Sequence, residues 1–63
     1  MKLIRLPEAL ARTGLTRTRA YVLIAKGEWP QPVKLSQGGR AIAFSEAEID
    51  AWIAQRLAAR EAA

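Results

Sequence analysis

The feature that most constrains the fold is a single glycine, Gly14, placed between two short stretches with helical spacing. Pro7 suits the first turn of a helix, where its missing N–H leaves no hydrogen bond unmade, and Gly14 can adopt the left-handed backbone conformation that ends a helix. Thr16 then offers a hydroxyl oxygen that can accept a hydrogen bond from a free backbone N–H of a second helix. This segment predicts two short helices, 7–13 and 17–26, joined by a tight turn.

The second of these predicted helices combines an apolar face with a basic first turn. Two helices joined by a tight glycine-containing turn are typical of the helix-turn-helix, whose second helix lies in the major groove of DNA. Its predicted buried face is formed by Ala20, Leu23 and Ile24. The opposite face centres on Thr18 and Val22, and Arg17 and Arg19 lie in the same first turn. This pattern indicates a surface suited to phosphates and base edges.

The charge distribution limits the class of binding partner, and the composition excludes sites that need cysteine or histidine. The net charge is +4, and residues 1–44 carry eight Lys or Arg against two Glu, whereas residues 45–63 carry two Arg against four acids. Cysteine and histidine are both absent, which excludes disulfides, thiol chemistry and zinc-finger ligation. The positive field therefore belongs to the part with the helix pair and favours a polyanion, although charge alone does not separate nucleic acid from an anionic membrane.

Two short alternating runs around a glycine pair predict a β-hairpin. Residues 33–36 and 41–44 alternate apolar and polar side chains, and Gly38-Gly39 lies between them. We expect four apolar side chains of this hairpin to face inward: Val33, Leu35, Ile42 and Phe44. Arg40 then projects at or near the tip, where the preceding glycines allow close approach to DNA.

A third helix is predicted over 46–59. Ser45 and Glu48 have the spacing of a capping box, and acidic residues occupy the first turn, where the helix dipole favours them. Trp29 and Trp52 are expected in the core, and the alanine-rich tail after this helix is expected to fray.

The order of these elements predicts the fold class. Residues 2–6 are consistent with a brief strand or an extended lead-in, and the rest forms two helices, a hairpin and a closing helix. We therefore expect one domain over 1–63, mainly α with a small β-hairpin wing, in the form of a winged helix-turn-helix. A domain of this size is only marginally stable alone, so stabilisation by a partner is plausible.

The primary sequence also resembles a known family along nearly its whole length. The segments that carry the resemblance are Leu6-Pro7-Glu8-Ala9, Thr13-Gly14-Leu15-Thr16-Arg17, Tyr21-Val22-Leu23-Ile24, Gly27-Glu28-Trp29-Pro30-Gln31-Pro32-Val33-Lys34-Leu35, Gly39-Arg40-Ala41-Ile42-Ala43-Phe44 and Glu48-Ile49-Asp50-Ala51-Trp52-Ile53. They are similar to those of the AlpA-type phage and prophage regulators, which are related to excisionases and to the DNA-binding head of the MerR class. The resemblance implies a small DNA-binding protein that controls mobile-element genes, acts near an integrase promoter or assists excision.

The resemblance also implies roles for individual residues. The positions that match are the capping Thr16, the DNA-facing Arg17, Thr18 and Arg19, the aromatic Tyr21 and the wing arginine Arg40. Val22 stands where family members often have Arg or Lys, so that a base or phosphate contact is either missing or replaced by an apolar one. Ala20 likewise replaces a larger apolar residue.

Three side chains are candidates for contacts with bases. The guanidinium of Arg19 can donate two hydrogen bonds to guanine, or it can bind a phosphate or stay solvated. Thr18 and Val22 can offer methyl groups to thymine, and for Val22 a surface or partner contact is the favoured alternative.

Five further side chains are candidates for contacts with the DNA backbone. Arg17 and Lys26 are expected to bind phosphates rather than bases, and Lys34 belongs to the same candidate set. Arg40 is assigned to the backbone or minor groove in preference to a merely solvated tip. The hydroxyl of Tyr21 can donate to a phosphate, but packing of its ring against the first helix is an equal alternative.

The sequence thus predicts a sequence-specific double-stranded DNA-binding transcriptional regulator of a prophage or mobile element. The alternatives are an excisionase-type DNA-bending factor and a protein-interaction adaptor that keeps the fold without binding DNA. No enzyme activity, cofactor, metal or small-molecule ligand is expected. A homodimer or a cooperative multimer on DNA, no membrane association and a cytoplasmic, nucleoid-associated location are expected for a bacterial or phage-encoded protein.

Overall fold

Six short elements follow the predicted order closely. The computed structural model describes residues 2–62, and side chains for residues 2–60. The elements are β1 (Leu3–Arg5), α1 (Leu6–Thr13), α2 (Arg17–Lys26), β2 (Val33–Lys34), β3 (Ile42–Ser45) and α3 (Glu46–Ala62). Three helices and a small antiparallel sheet form a winged helix-turn-helix, which confirms the predicted fold class. The third helix runs to Ala62, three residues beyond its predicted end.

The sheet has three strands in the order β1-β3-β2, all antiparallel. The lead-in segment is thus a true strand, and it pairs with β3 through Ile4 opposite Phe44. Both of these side chains are buried and lie on the face that the helices cover. The wing strand β2 pairs with the other edge of β3, so one four-residue strand holds both neighbours.

The predicted inward face of the hairpin is half wrong. Phe44 is fully buried and Ile42 is half-buried, but Val33 and Leu35 are each 43% exposed. Val33 lies opposite Ala43, and directly paired residues share a face of the sheet. Because successive side chains alternate between faces, Val33 and Leu35 point to the side away from Phe44. The paired strands are also shorter than predicted, since β2 ends at Lys34.

Aromatic packing holds the core together. The ring of Trp29 meets the ring of Phe44 edge-on at 5.0 Å between centroids and that of Trp52 at 6.3 Å. Trp29 is 3% exposed, as expected for a core residue, whereas Trp52 is only half-buried. The indole N–H of Trp52 donates to the backbone carbonyl of Glu28 at 2.8 Å, which ties α3 to the loop after α2.

The helix ends follow the capping chemistry that the sequence predicts. The Thr16 hydroxyl accepts a hydrogen bond from the backbone N–H of Arg19 at 3.2 Å, and the Ser45 hydroxyl accepts one from Glu48 at 3.3 Å. Gly14 has φ of 74°, and its N–H donates to the Leu10 carbonyl at 2.8 Å. The turn of the helix-turn-helix is therefore held by local hydrogen bonds at both of its ends.

Truncation of the core should destabilise the domain strongly. We expect Phe44→Ala to lower the free energy of unfolding by about 3–5 kcal/mol and Ile49→Val by about 0.5–1.5 kcal/mol, because both side chains are fully buried. Leu57→Ala is the matched control, since Leu57 is 48% exposed, and it should change stability by less than about 0.5 kcal/mol. Urea unfolding followed by circular dichroism measures all three, and an equal loss for Leu57→Ala would contradict this description of the core.

Removal of the α2 cap should have a smaller effect. Thr16→Ala leaves the Arg19 N–H without its side-chain acceptor and is expected to cost about 1 kcal/mol of unfolding free energy. Thr18→Ala, two positions along the same exposed turn, is the control and should cost nothing measurable in the same urea titration. Equal losses in the two variants would show that the hydroxyl is not acting as a cap.

Candidate nucleic-acid interface

The outward surface of α2 carries most of the candidate residues. The helix buries Ala20 fully and Leu23 nearly so, which turns its opposite side toward solvent. The exposed residues of this surface are Thr16, Arg17, Thr18, Arg19, Tyr21, Val22 and Lys26. Tyr21 is 46% and Val22 38% exposed, so neither ring nor methyl groups are absorbed into the core. The surface of α2 that the sequence predicts to be exposed is thus accessible to a partner.

Acidic side chains are engaged elsewhere, where α1 meets the start of α3. The guanidinium of Arg12 lies 2.7 Å from Glu8, 2.9 Å from Glu46 and 3.5 Å from Asp50, and Lys2 lies 3.8 Å from Glu46. The hydrogen bond to Glu8 is the largest of the contributions that raise the pKa of Arg12. These contacts gather half of the six acidic residues around one arginine.

The cations of α2 and the wing keep their charge uncompensated. Across the described side chains, 2–60, no carboxylate oxygen comes within 4.0 Å of the candidate cations Arg17, Arg19, Lys26, Lys34 and Arg40. All five are exposed. The charge asymmetry in the sequence therefore becomes a spatial one, with a positive surface on α2 and the wing and an ion-paired region at the α1–α3 contact.

One side of α2 faces the wing across a cleft of about 270 Å³, called here the wing cleft. Its polar lining consists of Arg5, Arg17, Tyr21 and Arg40, and its apolar wall of Leu6, Pro7 and Ile42. Three candidates from different parts of the sequence thus come together in one place. Arg40 reaches the cleft from the loop after Gly38, which has φ of 76°.

Arg5 is the member of the wing cleft that sequence reasoning missed. Its Nε–H donates to the backbone carbonyl of Ile42 at 3.1 Å, so the guanidinium rests on the central strand of the sheet. Alternation along β1 places Arg5 on the opposite face from the buried Ile4, which could have shown that it was free for another role. Only the pairing of β1 with β3 shows that this role lies beside the wing.

The other side of α2 faces α3 across a wider groove of about 680 Å³. Arg19 lines this groove together with Leu23, Trp29, Trp52 and Arg56. The guanidinium of Arg56 lies 5.8 Å from the centre of the Trp52 ring, a cation–π contact. Arg19 is therefore separated from Arg17 and Arg40, and the structure does not bring all the predicted arginines into one cluster.

The exposed surface of α2 consequently has a crest and two flanks. At about 100° per residue, Thr18 and Val22 lie on the crest, Arg17 and Tyr21 on the wing side, and Arg19 on the α3 side. Lys26 and Lys34 line neither the wing cleft nor the groove between α2 and α3. Lys26 lies in the last turn of α2, and Lys34 lies on the edge strand β2.

Two other kinds of feature, a metal site and a membrane span, are absent from the described residues. No group of three or more Asp or Glu side chains is arranged to hold a metal ion there. Nor does that part of the chain include a helix with the length and apolar character needed to span a bilayer.

Comparison with known proteins gives the family. Residues 2–57 match the family described as prophage CP4-57 regulatory protein (AlpA). The chain belongs to this AlpA family of phage regulatory proteins. The family assignment confirms the resemblance read from the sequence.

A relative from a phage supports the same assignment. The chain is 42% identical over 60 residues to the uncharacterized protein ORF88 of Enterobacteria phage P4, an alignment that covers 95% of this chain. This AlpA family member spans 66% of the length of that relative.

Proposed function

We propose that this AlpA family member is a sequence-specific double-stranded DNA-binding transcriptional regulator of a prophage or another mobile element. In this proposal α2 lies in the major groove and the wing lies against the adjacent backbone. The observation that carries it is the exposed, basic surface of α2, whose arginines have no carboxylate partner among the described residues. A surface of this kind is stabilised by a polyanion.

The dimensions of α2 suit the major groove. A helix with its side chains is about 10–12 Å wide, and the major groove of B-DNA is about 12 Å wide. With the crest toward the bases, the flanks face the two sugar-phosphate strands. Arg17 and Tyr21 then approach one strand, and Arg19 approaches the other strand or a guanine edge. Phosphate contacts from the flanks position the helix, while the crest and Arg19 supply sequence preference.

The apolar crest indicates the kind of base that is read there. Thr18 and Val22 present methyl groups, and the major-groove edge of thymine presents a methyl group of its own. Contacts between them are short-range and depend on water exclusion, in contrast to the long-range attraction of the arginines. We therefore assign discrimination to the crest and most of the binding strength to the flanks.

A single module of this size has a small interface. Comparable modules bury about 600–1,000 Å² of protein surface on DNA. We propose that two or more copies bind neighbouring sites to reach useful specificity. Sedimentation of the protein with and without duplex DNA tests this part, and a single copy on every bound duplex would contradict it.

Replacement of the two α2 arginines should weaken DNA binding strongly. We expect Arg17→Ala/Arg19→Ala to lower the affinity for a duplex selected from a random pool by about 100-fold or more at physiological salt, because one charged contact is lost on each flank, at about 1.5–3 kcal/mol for each hydrogen bond to a charged group. The measurement is fluorescence anisotropy, with circular dichroism to show that the fold is kept.

The control for this variant carries the same change in net charge on another surface. Lys2→Ala/Arg60→Ala removes two positive charges from the start of the chain and the end of α3, and it should lower affinity by only a few-fold through long-range attraction. Unchanged affinity in the α2 variant would overturn the proposal and favour the adaptor role.

A circular-permutation assay with the unaltered protein distinguishes a regulator that leaves the duplex straight from an excisionase-type bending factor.

A further inference from the structure

The wing cleft contains a concentration of positive charge that the fold itself does not compensate. Arg5, Arg17 and Arg40 line one space of about 270 Å³, and none of the residues that line it is acidic. Like charges that share a small cleft repel one another, and this repulsion is relieved when an anion enters. The cleft is therefore suited to an anionic group rather than to a neutral or cationic one.

The size of the cleft restricts the anion. Sites for drug-sized ligands are about 300–1,000 Å³, and a water molecule in the liquid takes about 30 Å³. A space of about 270 Å³ that is open to solvent lies just below this range and has room for one phosphate group with its waters. Leu6, Pro7 and Ile42 supply the apolar part of the lining, and the charged and hydroxyl groups supply the rest.

We propose that the wing cleft binds one phosphodiester group of the DNA backbone, and that Arg5 is the residue that fixes its position. The proposal rests on the proposed function for the source of the phosphate. It adds a contact from β1, outside both the helix-turn-helix and the hairpin.

The hydrogen bonding of Arg5 prepares it for this role. Its Nε–H is bound to the Ile42 carbonyl, while its two terminal nitrogens, with four N–H groups between them, face no other acceptor in the described structure. Two parallel N–H groups match two oxygens of a phosphate. A guanidinium already anchored on the sheet loses less freedom on binding than one at the end of an unattached side chain. Lysine lacks the fork and cannot anchor and bind in this way.

The other side chains of the cleft approach the same group from different elements. Arg17 and Tyr21 lie one turn apart on α2, and Arg40 comes from the wing. A phosphate held between them connects the sheet, the recognition helix and the wing through one anion. Such a contact sets how deep α2 lies in the groove without reading any base.

Neutral methylphosphonate substitutions in the backbone test the proposal. A duplex selected from a random pool is made with a single methylphosphonate at each position in turn, and affinities are measured for the unaltered protein and for Arg5→Gln. We expect one position at which the substitution weakens the unaltered protein about tenfold and weakens Arg5→Gln clearly less, since that variant has lost the Arg5 contact and keeps only those of Arg17 and Arg40. The slope of log affinity on log salt should fall by about 0.9 in Arg5→Gln.

Matched variants make the result specific. Arg40→Gln should show a reduced penalty at the same methylphosphonate position, because both arginines line the same cleft. Arg60→Gln, an exposed arginine at the far end of α3, should keep the sensitivity of the unaltered protein at every position. If Arg5→Gln keeps every penalty seen with the unaltered protein, the proposal is wrong.

A titration with inorganic phosphate separates failure of this site from failure of the proposed function. The ring resonances of Tyr21 should shift saturably with phosphate in the unaltered protein and in Arg60→Gln, but not in Arg5→Gln. That result in a protein that does not bind duplex DNA would keep the anion site and remove DNA as its source. The absence of any saturable shift, together with unchanged methylphosphonate penalties, would remove the site while DNA binding by α2 remained.

Discussion

The structure depends on the pairing of one four-residue strand, β3, with two neighbours. On one edge it pairs with β1, and on the other it carries the wing strand β2. Phe44 on β3 is fully buried, and its ring packs edge-on against the ring of Trp29. The helix α3 begins at Glu46, directly after β3. The position of the wing, of the lead-in strand and of the closing helix all follow from this strand. Over residues 2–62, this sheet is the only one, so no second sheet shares that task.

A second constraint is the sorting of charge by the helix packing. Arg12 on α1 collects the carboxylates at the start of α3, where acidic residues also favour the helix dipole. The ion pairs there are exposed except at the half-buried Glu46, and exposed pairs contribute little to stability. These pairs also separate the charges of the protein, because acids that are held by Arg12 do not neutralise the arginines of α2. The charges at the α1–α3 contact are thus paired within the protein, whereas the positive charges of α2 and the wing have no counter-charge among the described residues.

The two sides of α2 differ in chemistry, so the candidate interface is asymmetric. The wing side is a small cleft whose charged groups are all basic, with a hydroxyl group from Tyr21 and an apolar wall. The α3 side is wider and mixes Arg19 with the aromatic rings of Trp29 and Trp52. A partner that lies along α2 therefore faces only positive charges on the wing side, where a negative group is favoured. On the α3 side it faces a mixture of charged and aromatic groups. The apolar crest between them is the part suited to distinguish one base from another.

Local signals in the sequence were sufficient for the helices and for the exposure of the candidate residues on α2. The caps at Thr16 and Ser45, the turn at Gly14 and the exposed face of α2 involve residues a few positions apart, so helical periodicity and side-chain chemistry determine them. The tertiary structure decided the rest. The register of β2 on β3 turned Val33 and Leu35 outward, and the pairing of β1 brought Arg5 beside the wing, because strand partners lie far apart in the chain and no local pattern states which residues will face each other.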